Sequence, residues 1–124
     1  MHTRIRTGSS WEDRIGYCRA VVAGDTLEIS ATSASDDALS GDLRDQTLSA
    51  LARIQAVIVE AGFALSDVTR TRLYVSDFEN WELAAAAHGE VFADIRPAFT
   101  ILHVLPFVDP AIGVEVEVSA IRQR

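Results

Sequence analysis

The chain has 124 residues, of which 48% are hydrophobic and 23% charged, the size of one domain and the balance of an ordinary globular protein. Eighteen acidic residues against eleven basic ones leave a net charge of −7, which argues against a nucleic-acid footprint with its clustered basic surface. Every basic residue is arginine, so a mechanism through a lysine Schiff base, PLP attachment included, is excluded.

No linker, repeat or low-complexity tract divides the sequence, and residues 1–124 read as one domain. Thr3–Arg6 suggests a short strand. Gly16–Val22 and Thr26–Thr32 read as a hairpin around Ala23-Gly24-Asp25, the second run alternating Leu27, Ile29 and Ala31 with Glu28, Ser30 and Thr32. Ala31–Gly41 is a loop of small polar residues. From Asp42 to Ala61 the residues Leu43, Thr47, Ala50, Leu51, Ile54, Val57, Ile58 and Ala61 recur at spacings of three and four, the stripe of an amphipathic helix. Asp42 and Asp45 suit its N-terminus and Gly62 its C-terminal cap.

Val68–Ser76 is a strand with Arg70, Arg72 and Tyr74 on one face and Thr71, Leu73 and Val75 on the other. Ser76-Asp77-Phe78-Glu79 reads as a capping box opening a second helix, which runs through Ala84–Ala87 to about Phe92 and ends before Pro97. Strands over Ala98–Val104 and Gly113–Ile121 complete a β-β-α-β-α-β-β order. That order predicts an α+β fold, with two helices on one face of a mixed sheet. Ile5, Tyr17, Phe99 and Ile101 are then expected on the uncovered side, where burial calls for an oligomer. The lone Cys18, the absence of an apolar segment in Met1–Arg6 and the lack of any bilayer-length apolar run predict a cytoplasmic protein without membrane contact.

Several segments carry a resemblance. Gly16-Tyr17-Cys18-Arg19-Ala20, Ile29-Ser30-Ala31-Thr32, Asp67–Val75 (DVTRTRLYV), His88-Gly89-Glu90-Val91-Phe92, Ile95–Thr100 (IRPAFT), Asp109-Pro110 and Val114-Glu115-Val116-Glu117 follow one another as in the RidA (YjgF-type, reactive intermediate deaminase) family. The chain is identified as a divergent member of it. The resemblance implies a chorismate-mutase-like fold and a homotrimer whose sheets form an inner barrel. It also implies clefts between subunits that bind a small molecule. In the deaminating branch an arginine directly after the Pro-Ala pair grips the carboxylate of a 2-imino or enamine acid, and a glutamate of the VEIE strand helps water hydrolyse the C=N bond.

Phe99 occupies the position of that arginine, and a phenyl ring cannot grip a carboxylate, so typical 2-imino-acid deamination is not expected. Glu115 matches the water-orienting glutamate. Phe99 shares a strand face with Ile101 and His103, and if the last two strands are neighbours, His103 pairs with Glu115 for acid–base work. Otherwise His103 is a cross-strand partner of a surface carboxylate. Tyr17 matches a cleft tyrosine of the family or serves as an interface aromatic. Arg72, or Arg70 beside it, either supplies the missing cation or belongs to an ion-paired face. Cys18 reads as a small hydrophobe and His88 as a helix–sheet contact. No metal-ligand spacing occurs, and no cofactor is expected.

Three functions compete. The first is hydrolysis of an imine, enamine or related C–N bond, with Glu115 and His103 as catalytic residues and Tyr17, Phe99 and Arg72 binding substrate. The second is a non-catalytic trimeric ligand-binding or chaperone-like protein. The third, ribonuclease action, is disfavoured by the charge and the lack of a basic, stacking surface.

Overall fold

The structure, a computed structural model, describes residues 1–123. Strands β1 (Thr3–Ile5), β2 (Ala20–Ala23), β3 (Thr26–Thr32), β4 (Val68–Val75), β5 (Ala98–His103) and β6 (Val114–Ile121) form one sheet in the order β1-β2-β3-β6-β4-β5. Only β4 and β5 run parallel, because helix α3 (Trp81–Phe92) carries the chain back between them. Helix α2 (Leu43–Glu60) and α3 lie together on one face, as the element order predicts. Among the described residues no helix is long and apolar enough to cross a membrane.

The predicted stripe of α2 is its buried side: Leu43, Ala50, Leu51, Ile54 and Ile58 are all within the core. Asp42 caps it by accepting a 2.8 Å hydrogen bond from the Asp45 amide, and Gly62 closes it at φ 80°. The sequence reading passes over α1 (Ser10–Ile15), although Ser9 caps it and Gly16 ends it in the left-handed conformation. A second difference lies ahead of α3. Ser76 does not open a capping box, because its hydroxyl donates to the carbonyl of Ile112 at the entry to β6. A single tight turn, Phe78–Asn80, precedes the helix instead. At the far end Arg96 takes a positive φ of 53° and its amide donates to Phe92 O, which stops α3 just before Pro97.

The phase of the strands overturns one expectation. A single row of neighbours crosses the sheet beneath the helices: Ile5, Ala20, Ile29, Val118, Thr71 and Phe99. Ile5 is therefore core, and Ile101, beside Leu73, packs against that core. The uncovered face is polar instead, carrying Arg4, Glu28, Arg70, Arg72, Tyr74, Glu115 and Glu117. Of the four residues expected there, Ile5, Phe99 and Ile101 belong to the helix side.

His88 joins α3 to the sheet, as expected. Its Nε2 meets Thr71 Oγ1 at 2.8 Å, and its ring lies 4.7 Å from both Phe92 and Phe99. Burial pushes its pKa below the ordinary histidine value, so the folded state holds it neutral while the unfolded chain takes up a proton as pH falls through that value. More protons on the unfolded chain mean stability lost with acidification. Urea unfolding at pH 7.5 and pH 5.5 checks this: the loss between the two should shrink in His88→Gln.

Candidate functional site

A cleft of about 670 Å³ opens where α1, the end of β3 and the segment before β6 converge. Its polar residues include Tyr17, Arg19, Ser30 and Glu115, and its apolar wall is Trp11, Ile15, Phe107, Val108 and Ile112. The cleft owes its shape to an irregularity in β3. Pairing with β6 shifts between Ile29 and Thr32, so the predicted strict alternation fails. Thr32 turns inward, 2% exposed, while Ser30 and Ala31 line the cleft.

Arg19 holds this bulge. Its Nη1 donates to Ala31 O and to Thr32 Oγ1, both at 2.8 Å, and its Nη2 reaches Tyr17 Oη at 3.4 Å. The guanidinium also lies over the Tyr17 ring, 5.7 Å from its centre. Only 9% of Arg19 is exposed.

Glu115 projects from β6 on the uncovered face, beside Tyr74 of β4. It makes no hydrogen bond among the described residues. Burial raises its pKa above the ordinary carboxylate value, and the Arg19 charge opposes that shift in part. A desolvated carboxyl without a hydrogen-bond partner holds its proton more readily than an ordinary glutamate, the property that a proton-transferring group needs. Glu12 of α1 also feels Arg19, but the hydroxyl and amide of Thr7 occupy it and hold its pKa down.

Of the five predicted site residues, Tyr17 and Glu115 share this cleft, and Tyr17 also borders the adjoining groove that holds Arg72. Arg72 lies there with Arg4, Glu28 and Glu117. It pairs with Glu117 at 3.3 Å, and Tyr74 Oη donates to the same carboxylate at 3.0 Å. Burial, then that bond, raises the Tyr74 pKa. The pairing of His103 with Glu115 is not formed, because β4 stands between β5 and β6 and the two side chains leave opposite faces. His103 neighbours Val75 and stacks on Phe78 at 4.5 Å, so its reading as partner of a surface carboxylate fails too. Phe99, likewise on the helix side, rests on His88. Cys18 is half-buried and points its thiol at Ala20 O, 3.4 Å away.

Arg19 is the site residue that the sequence reading leaves out. The available signal is its spacing of two from Tyr17, which places both on one side of an extended chain. Among the described residues no three His, Cys, Asp or Glu side chains gather as metal ligands.

This α+β fold and its cleft have known counterparts. Residues 8–122 match the endoribonuclease L-PSP family, and the chain belongs to that family, whose members are also grouped as YjgF or RidA proteins. The uncharacterized protein SCO2049 of Streptomyces coelicolor is 37% identical over 122 residues, spanning 96% of this chain and 91% of its own length. The crystal structure of Rv2704 from Mycobacterium tuberculosis, a member of the YjgF/YER057c/UK114 family, superposes with a TM-score of 0.89 at 36% identity, over 98% of this chain and 99% of that one. The crystal structure of E. coli TdcF with bound serine shares the fold, with a TM-score of 0.78 at 18% identity over 86% of this chain and 88% of that one.

The raised Glu115 pKa has a sign that can be measured. Because the folded state binds this proton more tightly than the unfolded chain does, stability falls as pH rises from the ordinary glutamate value through the raised one. Glu115→Gln should therefore gain stability relative to the native chain at pH 7.5 and gain less at pH 4. Asp67 has the opposite sign: amide donors from Ala64 and Gln123 lower its pKa, so its contribution is lost on acidification.

Proposed function

We propose that this protein binds a small molecule in clefts between the subunits of a homotrimer and there hydrolyses an imine, enamine or related C–N bond. Small 2-imino acids are not its proper substrates, since Phe99 stands where the carboxylate-binding arginine of the deaminating branch belongs. The observation that carries the reading is Glu115: an unbonded carboxyl with a raised pKa at the polar side of a ligand-sized cleft.

In this mechanism the protonated Glu115 gives its proton to the imine nitrogen, and the carboxylate so formed takes a proton from the water molecule whose oxygen bonds to the C=N carbon. Glu115 then protonates the amino nitrogen of the resulting carbinolamine and takes back the hydroxyl proton as the C–N bond breaks, which releases ammonia and leaves a carbonyl product. Tyr17 holds the substrate or the water. His103 has no place in this chemistry within one subunit, and Arg72 is already paired with Glu117.

The trimer is supported by β5. It is an edge strand, and from it and the segment that follows, Phe99 (40% exposed), Leu102, Leu105 and Val108 present apolar surface. A neighbouring copy that covers this edge brings its own β5, Phe99 included, to the rim of a cleft. Light scattering should give three times the 13.5 kDa chain mass; a stable monomer overturns both the trimer and the intersubunit site.

A ligand-sized cleft and the acidic chain support a small molecule over the RNA suggested by the family's name. The reaction is checked by following keto-acid release from freshly generated imines of small and of aromatic amino acids. The native chain should favour aromatic imines, Glu115→Ala should lose about 10²–10⁴-fold of the rate, and Phe99→Arg should gain activity on 2-iminobutyrate. Native turnover of 2-iminobutyrate equal to that of an arginine-bearing relative contradicts the assignment of Phe99. Failure of every variant on every imine leaves the non-catalytic binding protein.

A further inference from the structure

Arg19 carries donors that the protein leaves unused. A guanidinium has five N–H groups. Nη1 spends both of its hydrogens on the bulge, at Ala31 O and Thr32 Oγ1. Nη2 makes one long contact with Tyr17, and Nε has no partner among the described residues. No carboxylate of the described residues comes within 4.0 Å of Arg19, although it is nine-tenths buried. A buried cation without an anion in contact is costly, and proteins normally pair it. Arg53, the other cation of the cleft, turns to the carbonyls of Ser33 and Ala34 instead.

Tyr17 repeats the pattern. Its hydroxyl oxygen accepts from Arg19, and its own proton has no acceptor among the described residues. The second Nη2 hydrogen of Arg19 and the hydroxyl proton of Tyr17 are thus two free donors in one cleft. That pair suits the two oxygens of a carboxylate.

We propose that Arg19 and Tyr17 form the carboxylate seat of this cleft, so that its substrates are carboxylates with an apolar tail, the tail lying on Trp11, Ile15, Phe107, Val108 and Ile112. The inference rests on the reading of this cleft as the ligand site, and it moves the anchor from position 99 to a different wall. Glu12 and Glu115 are the carboxylates that feel the Arg19 charge. Glu12 is engaged by Thr7, whereas Glu115 adjoins the seat and repels an anion whenever it is ionised. Asp36 and Asp109 line the cleft but are exposed, where water and salt screen them.

Equilibrium binding of two stable probes tests this apart from catalysis: 3-phenylpropanoate and its neutral isostere 3-phenylpropanamide, by titration calorimetry at pH 7.5. The native chain should bind the carboxylate at least about tenfold more tightly than the amide. Arg19→Gln should erase that preference, Tyr17→Phe should weaken carboxylate binding several-fold, and Glu115→Gln should strengthen it. Equal affinity for the two probes, no binding of either, or an undiminished preference in Arg19→Gln overturns the seat. Should Arg19→Gln fail to fold for want of its bulge contacts, the opposite responses of Tyr17→Phe and Glu115→Gln decide the matter. Imine hydrolysis without carboxylate selectivity refutes the seat alone, and selectivity without hydrolysis refutes the proposed reaction alone.

Discussion

The carbonyl of Ala31 leaves the β3–β6 ladder and is met by the guanidinium of Arg19, and the cleft depends on that exchange. A backbone carbonyl released inside a protein must find another donor, and a charged donor that also bonds Thr32 Oγ1 fixes two consecutive residues of the bulge. Thr32 itself donates back to Ser30 O at 2.8 Å. The bulge is thereby fixed where it lines the cleft that α1 borders on the other side. On the other flank Glu12 is bonded to Thr7, and the amides of Gly16 and Tyr17 both donate to Glu12 O. Tyr17 is thus delivered to the bulge by a short helix anchored at both ends. Ser9, Glu12, Gly16, Tyr17 and Arg19 are a local sequence with a tertiary purpose.

A second constraint follows from topology. The crossover through α3 makes β5 parallel to β4 and leaves it at the edge, while β6 inserts between β3 and β4. Chain neighbours β5 and β6 are therefore separated by a strand, and Phe99 and Glu115 leave opposite faces of the sheet. One subunit cannot bring them together. Joint use of Phe99 and Glu115 requires a second copy, which gives the proposed intersubunit arrangement a geometric basis different from the apolar open face inferred from the sequence.

That difference shows what periodicity conveys. The stripe from Leu43 to Ile58 and the alternation of Val114, Val116 and Val118 were legible because each residue's neighbours in the chain set its face. Strand adjacency was not, since it depends on contacts distant in sequence, and with it went the proposed His103–Glu115 pair. Ile5 and Phe99 were assigned to the wrong side for a related reason. Alternation groups residues on one face of a strand but does not say which face the helices cover. The bulge was hidden because Leu27, Ile29 and Ala31 alternate correctly right up to the shift. Glu115 and Tyr17 were legible through the family resemblance, whereas Arg19 stood inside a quoted motif without a role because its burial depends on the bulge.

A chain without lysine has only arginines with which to place a permanent cation, and their surroundings separate the candidates. Arg72 sits with Glu117 at the surface of the open face, both more than a third exposed, so its charge is shared and screened. Arg70 spends a donor on Thr100. Arg19 alone among the three is buried, bonded only to neutral acceptors and adjacent to the carboxyl whose pKa burial raises. In such a setting the charge acts at close range and with little screening. An arriving anion neutralises Arg19 and, by its own charge, favours protonation of Glu115. On the proposed reading, ligand binding and the protonation of Glu115 are coupled through one guanidinium, so the group that first protonates the imine nitrogen is charged with its proton as the substrate arrives.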